Sequence, residues 1–242
     1  MSPRRRTARI AGVLYLVTHV TSVAALALYA PVLNRSDGDL GSGATGSVLL
    51  GGLLEVVLAL AVIGTAVALY PLVRRSSATG AIGYATLRTV EAATILAGTL
   101  AVLAVVTLRR DAPSGTGTAT LALAGQALVA VHGWSFLIGQ GLVVAVHTTM
   151  LAWVLHHHAL VPRFVTTLGL VGGPLVLASN LGVMFGAWPQ ASPVTAVGAV
   201  PVFAWEISLA VVLIVTGLRD TDGGGPSADA DPAHPPVGSA TA

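Results

Sequence analysis

Six apolar stretches, each long enough to cross a bilayer, constrain the fold of this chain more than any other feature. A helix rises about 1.5 Å per residue, so about 20 mostly apolar residues span a hydrocarbon core of roughly 30 Å. Runs of that length lie at Ile10 to Leu33, Val48 to Val73, Thr79 to Leu108, Val131 to Leu155, Phe164 to Ala187 and Val194 to Leu218. Lipid offers the backbone no hydrogen-bond partner, so each run must satisfy its own amides as a helix. A charged fraction of 9% and a mean hydropathy of +0.83 place the whole chain in the membrane class. The expected fold is all-α, an integral membrane bundle of six transmembrane helices over residues 1–219. The sequence after Arg219, "DTDGGGPSADADPAHPPVGSATA", is rich in Gly, Pro and Asp. It buries too little apolar surface to offset its ordering entropy, so 220–242 is expected to be a disordered cytoplasmic tail.

An even number of spans returns both termini to one side, and arginine chooses the side. Arg4, Arg5, Arg6, Arg9, Arg74, Arg75, Arg163 and Arg219 share the face of the termini, against Arg35, Arg109 and Arg110 on the other. The positive-inside rule then puts both termini in the cytoplasm and the bundle in the cytoplasmic (cell) membrane. The first run follows "RRR" and resembles a secretory signal, but it is longer than the roughly 7 to 15 residues of a signal core, so it is expected to stay as a span. Between the third and fourth runs, "DAPSGTGTAT" reads as an outer loop. Leu121 to Val131 reads as a short interfacial helix, with Trp134 at the membrane boundary.

Several function classes are excluded by what the chain lacks. Without cysteine there is no disulfide, thiolate nucleophile or thiolate metal site, and without lysine no Walker A loop. HExxH and GxSxG are also missing. A formal net charge of +2 gives no footprint for nucleic acid. His156, His157 and His158 are consecutive, so on a helix they point in different directions and make a poor metal site. No cofactor and no metal are expected. The partners read from the sequence are the lipid bilayer and a possible small ion or solute.

Chemistry concentrates at membrane depth. The polar residues there are His19 on the first run, Glu55 on the second, Arg88 and Glu91 on the third, Gln140 and His147 on the fourth, Asn180 on the fifth and Glu206 on the sixth. Arg88 and Glu91 are three residues apart, share a helix face and can pair directly. One arginine against three carboxylates leaves an excess of acid, which requires a proton, a hydrogen-bond donor, a charged histidine or a bound cation. Two readings follow. In the first, the residues form a buried polar network with a structural or partner-binding role. In the second they form a midplane Glu/Arg site in a small ion- or proton-coupled transporter, since intramembrane ionisable residues mark functional sites by default. A third, an intramembrane enzyme, would unite His19, His147 and a glutamate around a metal-activated water.

Helix breakers add weaker signals. Gly172, Gly173 and Pro174 interrupt the fifth run and Pro201 precedes Glu206, so freed carbonyls are expected to line a cavity near Asn180 and Glu206. Gly169 with Gly173, and Gly182 with Gly186, form two GxxxG pairs that permit close helix approach on two sides.

Five segments carry a family resemblance: "ARIAGVLYLVT", "LLEVVLALAVIGTAVALYPLVRR", "GYATLRTVEA", "VPRFVTTLGLVGGPLVLASNLGVMFG" and "FAWEISLAVVLIVTGLR". Together they resemble the bacterial multi-pass membrane proteins grouped as domain of unknown function 4386. The resemblance implies that Glu55, Arg88, Glu91 and Glu206 belong to a shared charged pattern. It implies a membrane protein and no particular activity.

Overall fold

The computed structural model describes residues 2–33 and 44–219, and these are helical apart from short connections. Seven α-helices and one π-helical segment occur in the order α1 (Pro3–Leu33), α2 (Ala44–Val73), α3 (Ala78–Arg110), α4 (Thr118–Phe136), a π segment (Leu137–Val143), α5 (Val144–His157), α6 (Arg163–Met184) and α7 (Pro193–Val215). α4, the π segment and α5 run on without a break, so six helical rods are long and apolar enough to cross a membrane. The expected tail at 220–242 and Arg35 lie outside the described residues.

Local sequence sets the helix ends. Ser77 caps α3 by accepting from the Gly80 amide, and Arg109 and Arg110 in its last turn complement the negative end of the helix dipole. Ser192 caps α7 in the same way through the Thr195 amide, with Pro193 where a missing N–H costs nothing. α6 stops at Met184, and Gly186 just beyond it takes a φ of 76° that a side chain would resist.

The rods form a ring in chain order: α1 packs on α2, α2 on α3, α3 on the α4–π–α5 rod, α5 on α6, α6 on α7, and α7 closes on α1. The largest apolar core lies toward the end that carries the N-terminus, the 74–77 turn and the 158–162 connection. It gathers Tyr15, Leu69, Tyr84, Leu151, Leu155, Trp205, Leu209 and Leu213. Small residues make this end tight. A Cβ at Gly12 would stand 2.6 Å from the Ala210 carbonyl oxygen, so α1 and α7 approach backbone to backbone. Arginines lock the same end: Arg5 Nη2 donates to the Val215 carbonyl at 2.8 Å and Arg9 Nε to that of Ile214 at 3.1 Å. They thus supply donors to the last turn of α7, whose carbonyls have no helical partner.

Three expectations need correction. Leu121 to Val131 is no separate interfacial helix: it is the middle of α4, in line with everything up to His157, and Trp134 lies within the rod rather than at its start. Nothing in the sequence breaks the helix there, and Leu128 and Val129 pack on a second apolar cluster around Tyr29, Val48 and Val102. Only the first GxxxG pair is a packing surface. Gly169 lies against Trp205 of α7 and Ala152 of α5, and Gly173 against Thr149 of α5, whereas Gly182 receives the ring of Trp188 from the following loop and Gly186 is already past the helix end. Pro174 borders a shallow apolar groove with Trp153 and Met150 on the outside of α5 and α6, not the central cavity.

Candidate functional site

Arg88 is the hub of the charged residues. Its guanidinium is 2% exposed, and its donors are directed at α2, α3 and α7. Nη1 donates to Glu91 Oε2 at 2.9 Å, while Nε and Nη2 donate to Thr65 Oγ1 at 3.2 and 3.0 Å. The cation also stands 5.4 Å from the ring centre of Tyr15 on α1, a cation–π distance. Tyr15 and Tyr84 share a short hydroxyl–hydroxyl bond beside it. Glu91 takes a second partner from α5, with His147 Nε2 at 2.9 Å from the same Oε2. An ionised Glu91 would therefore accept from both Arg88 and His147. His147 is fully buried, stacked edge-on against Tyr84, and its Nδ1 has no hydrogen-bond partner among the described residues.

Glu206 on α7 differs. Its Oε1 is 3.8 Å from Arg88 Nη1, beyond hydrogen-bond range, and its Oε2 is 3.4 Å from His19 Nε2 on α1. His19 is held by Nδ1 at 2.9 Å from the Tyr15 carbonyl, and its ring packs edge-on against Phe203 at 4.6 Å. The side chains of His19 and Glu206 are 11% and 15% exposed, more than those of Arg88 and Glu91.

That difference has a cause in the packing. A cavity of about 380 Å³ lies at the centre of the ring, in the range of small-molecule sites of about 300–1,000 Å³. His19, Arg88, Glu91 and Glu206 line its polar end, and Gln140 and Asn180 face it from the π segment and α6. Apolar residues of α1, α2, α5 and α7, among them Leu26, Leu58, Val62, Val144 and Val202, form its walls.

The sequence reading did not foresee the π segment. The Val144 amide donates to the Gly139 carbonyl five residues back, the mark of a π turn, and such bulges are frequent at functional sites. Gly139 and Gly141 allow it: the space where their side chains would stand is taken by Thr94 of α3 and by Asn180, whose Oδ1 would lie 2.6 Å from a Gly141 Cβ. "GQG" around Gln140 was the available signal, two glycines flanking a polar residue inside an apolar span.

Of the eight residues singled out, six line this cavity, His147 is tied to it through Glu91, and Glu55 lies apart. Glu55 is buried on α2 and accepts from Thr99 Oγ1 at 2.7 Å. Thr99 is eleven residues along α3 from Arg88, about 16 Å of helix. The charge count at the hub is thus one arginine against two carboxylates rather than three. His156 bonds Thr166, while His157 stacks on Trp153 and meets the His158 ring edge-on, so the triplet does not converge on one centre. His19 and His147 also take separate carboxylates, Glu206 and Glu91, which leaves no common centre for the pair of histidines.

Six apolar rods around a buried charged centre define a multi-pass membrane protein. A family profile described as Domain of unknown function (DUF4386) matches residues 10–217, and the chain belongs to that family. No curated protein and no solved structure matches the chain.

Proposed function

We propose that the chain is a small ion- or proton-coupled transporter whose solute site is the central cavity, with Glu206 and His19 as its responsive pair. One observation carries the reading: the carboxylate least engaged by Arg88 is the one that borders the cavity beside a histidine. A histidine–carboxylate pair holds its proton at either member, and a cation arriving at the carboxylate displaces it. Arg88 is already occupied by Glu91 and Thr65, so the acidic excess at the hub resides on Glu206. The arginine asymmetry supports placement in the cytoplasmic membrane with both termini inside.

The structural reading keeps support from the other half of the hub. Arg88 reaches Thr65, Glu91, Glu206 and Tyr15, and His147 joins through Glu91, so five of the ring's helices meet at one guanidinium. The two roles divide the same residues: Arg88, Glu91, His147 and Thr65 fix register, and His19 and Glu206 respond.

Proteoliposomes loaded with a pH-sensitive dye test this. Sodium, potassium, ammonium, ethylamine, choline and decylamine are added outside in turn. At least one should drive a proton flux that Glu206→Gln abolishes. If wild type and Glu206→Gln give the same flux with every one of them, the transport reading fails and the network is structural.

A further inference from the structure

The cavity has one side that the ring leaves open. α1 and α7 touch at Gly12 and Ala210 and again at His19 and Phe203. Beyond that contact, toward the far end of α1, the cavity-lining Val23 and Leu26 are 60% and 55% exposed, and Phe203 at the contact is itself 47% exposed. Ala199, also exposed, lines the cavity one turn before Phe203 on α7. This rim is apolar, and it interrupts the outer surface of two spans that face hydrocarbon. An opening built of Val, Leu, Ala and Phe at that depth admits lipid-soluble molecules and repels ions in water.

The two ends of the cavity ask for different chemistry. Its walls carry Leu58, Val62, Val144 and Val202, which a water-soluble ion would leave unused. At its polar end the charges are Arg88, Glu91 and Glu206, so with neutral histidines one negative charge is left over. An acidic head group would meet Glu206, and the guanidinium that might attract it is 2% exposed and enclosed by Glu91, Thr65 and Tyr15. A cationic head group has a carboxylate at the cavity surface.

Resting on the solute-site reading above, we infer that the solute is a single-tailed amphipathic amine. It enters from the bilayer between α1 and α7, sets its ammonium on Glu206 and lays its tail along the apolar walls. The groups that face Glu206 fix the pH behaviour: His19 and Tyr15 from α1, Arg88, Glu91 and Tyr84 from α3, and His147 of α5 through Glu91. An ammonium and a proton compete for the His19–Glu206 pair, so amine binding releases protons.

Equilibrium binding of radiolabelled decylamine to the full chain in nanodiscs, with empty nanodiscs subtracted, tests the assignment. Decanol and decanoate share the tail as competitors, and ethylamine shares the head. The expected result is saturable decylamine binding, one per chain, that weakens about tenfold in Glu206→Gln. Decanol and decanoate should not compete. Competition by decanoate as strong as by unlabelled decylamine overturns the cationic head group. Ethylamine binding as tightly as decylamine, and dependent on Glu206, overturns the amphipathic tail while leaving the solute site intact. If neither amine binds and wild type and Glu206→Gln give the same proton flux in the proteoliposomes, both readings fall. Val23→Trp adds bulk at the rim and should slow decylamine association about fivefold. An unchanged rate in a variant that unfolds at the wild-type temperature overturns the lateral route.

Discussion

Glu91 and Glu206 face the same guanidinium from two helices, yet they sit in different kinds of surroundings. Glu91 is three residues from Arg88 on one helix, 2.9 Å from it, and receives His147 from the other side. Glu206 reaches the hub across the ring, stays 3.8 Å from Arg88, and shares its other oxygen with His19 beside the cavity. A buried ion pair that is well hydrogen-bonded holds structure together, because breaking it strands a charge in a medium that solvates it poorly. A pair at a cavity wall can exchange its proton or cation without unfolding anything. The contrast teaches that one cluster can be rigid on one side and responsive on the other.

Breaking the rigid side should have the largest effect. Arg88→Gln leaves Glu91 without its cation and is expected to cost about 3–5 kcal/mol in thermal or denaturant unfolding of the solubilised protein. Adding Glu91→Gln to it should recover much of that loss; a double variant no more stable than the single removes the ion pair as the cause. Thr65→Val comes next. It deletes the oxygen that accepts both Nε and Nη2 of Arg88, and a cost of about 1–3 kcal/mol is expected by the same measurement.

Sharpening the contrast needs the responsive side. Glu206→Gln keeps the shape of the side chain and loses its charge opposite His19 at 3.4 Å and Arg88 at 3.8 Å, so its stability should change by about 1 kcal/mol, less than in Arg88→Gln. Its proton flux should disappear and its amine binding weaken about tenfold. A stability loss as large as that of Arg88→Gln would make the two carboxylates equivalent and dissolve the comparison. The smallest effect is expected at Val23→Trp, where a side chain exposed on α1 should shift stability by no more than about 0.5 kcal/mol.

Much of the fold was legible because lipid enforces a simple rule. Apolar runs at Ile10, Val48, Thr79, Val131, Phe164 and Val194 become helices since nothing else satisfies their backbone, and all six rods are present. The Arg88–Glu91 pair was legible for a local reason, a spacing of three on one helix face. Misreadings came where a local signal had a non-local answer. Polar punctuation before Val131 suggested an interfacial helix, but Leu128 and Val129 found apolar partners on neighbouring helices and the rod continued. Gly182 and Gly186 matched a packing motif, yet one accommodates Trp188 and the other turns the chain.

By itself the sequence determined that this is an all-helical membrane protein and which polar groups its spans must carry, because both follow from composition and from spacing along one helix. Tertiary structure alone decided which of those groups meet. It set Glu55 with Thr99 rather than with Arg88, turned Gln140 and Asn180 toward one cavity through a π turn between two glycines, and left Glu206 at that cavity's edge beside His19. Those placements depend on how six helices rotate and close into a ring, and rotation about a helix axis is fixed by contacts between helices, not by the order of residues within one.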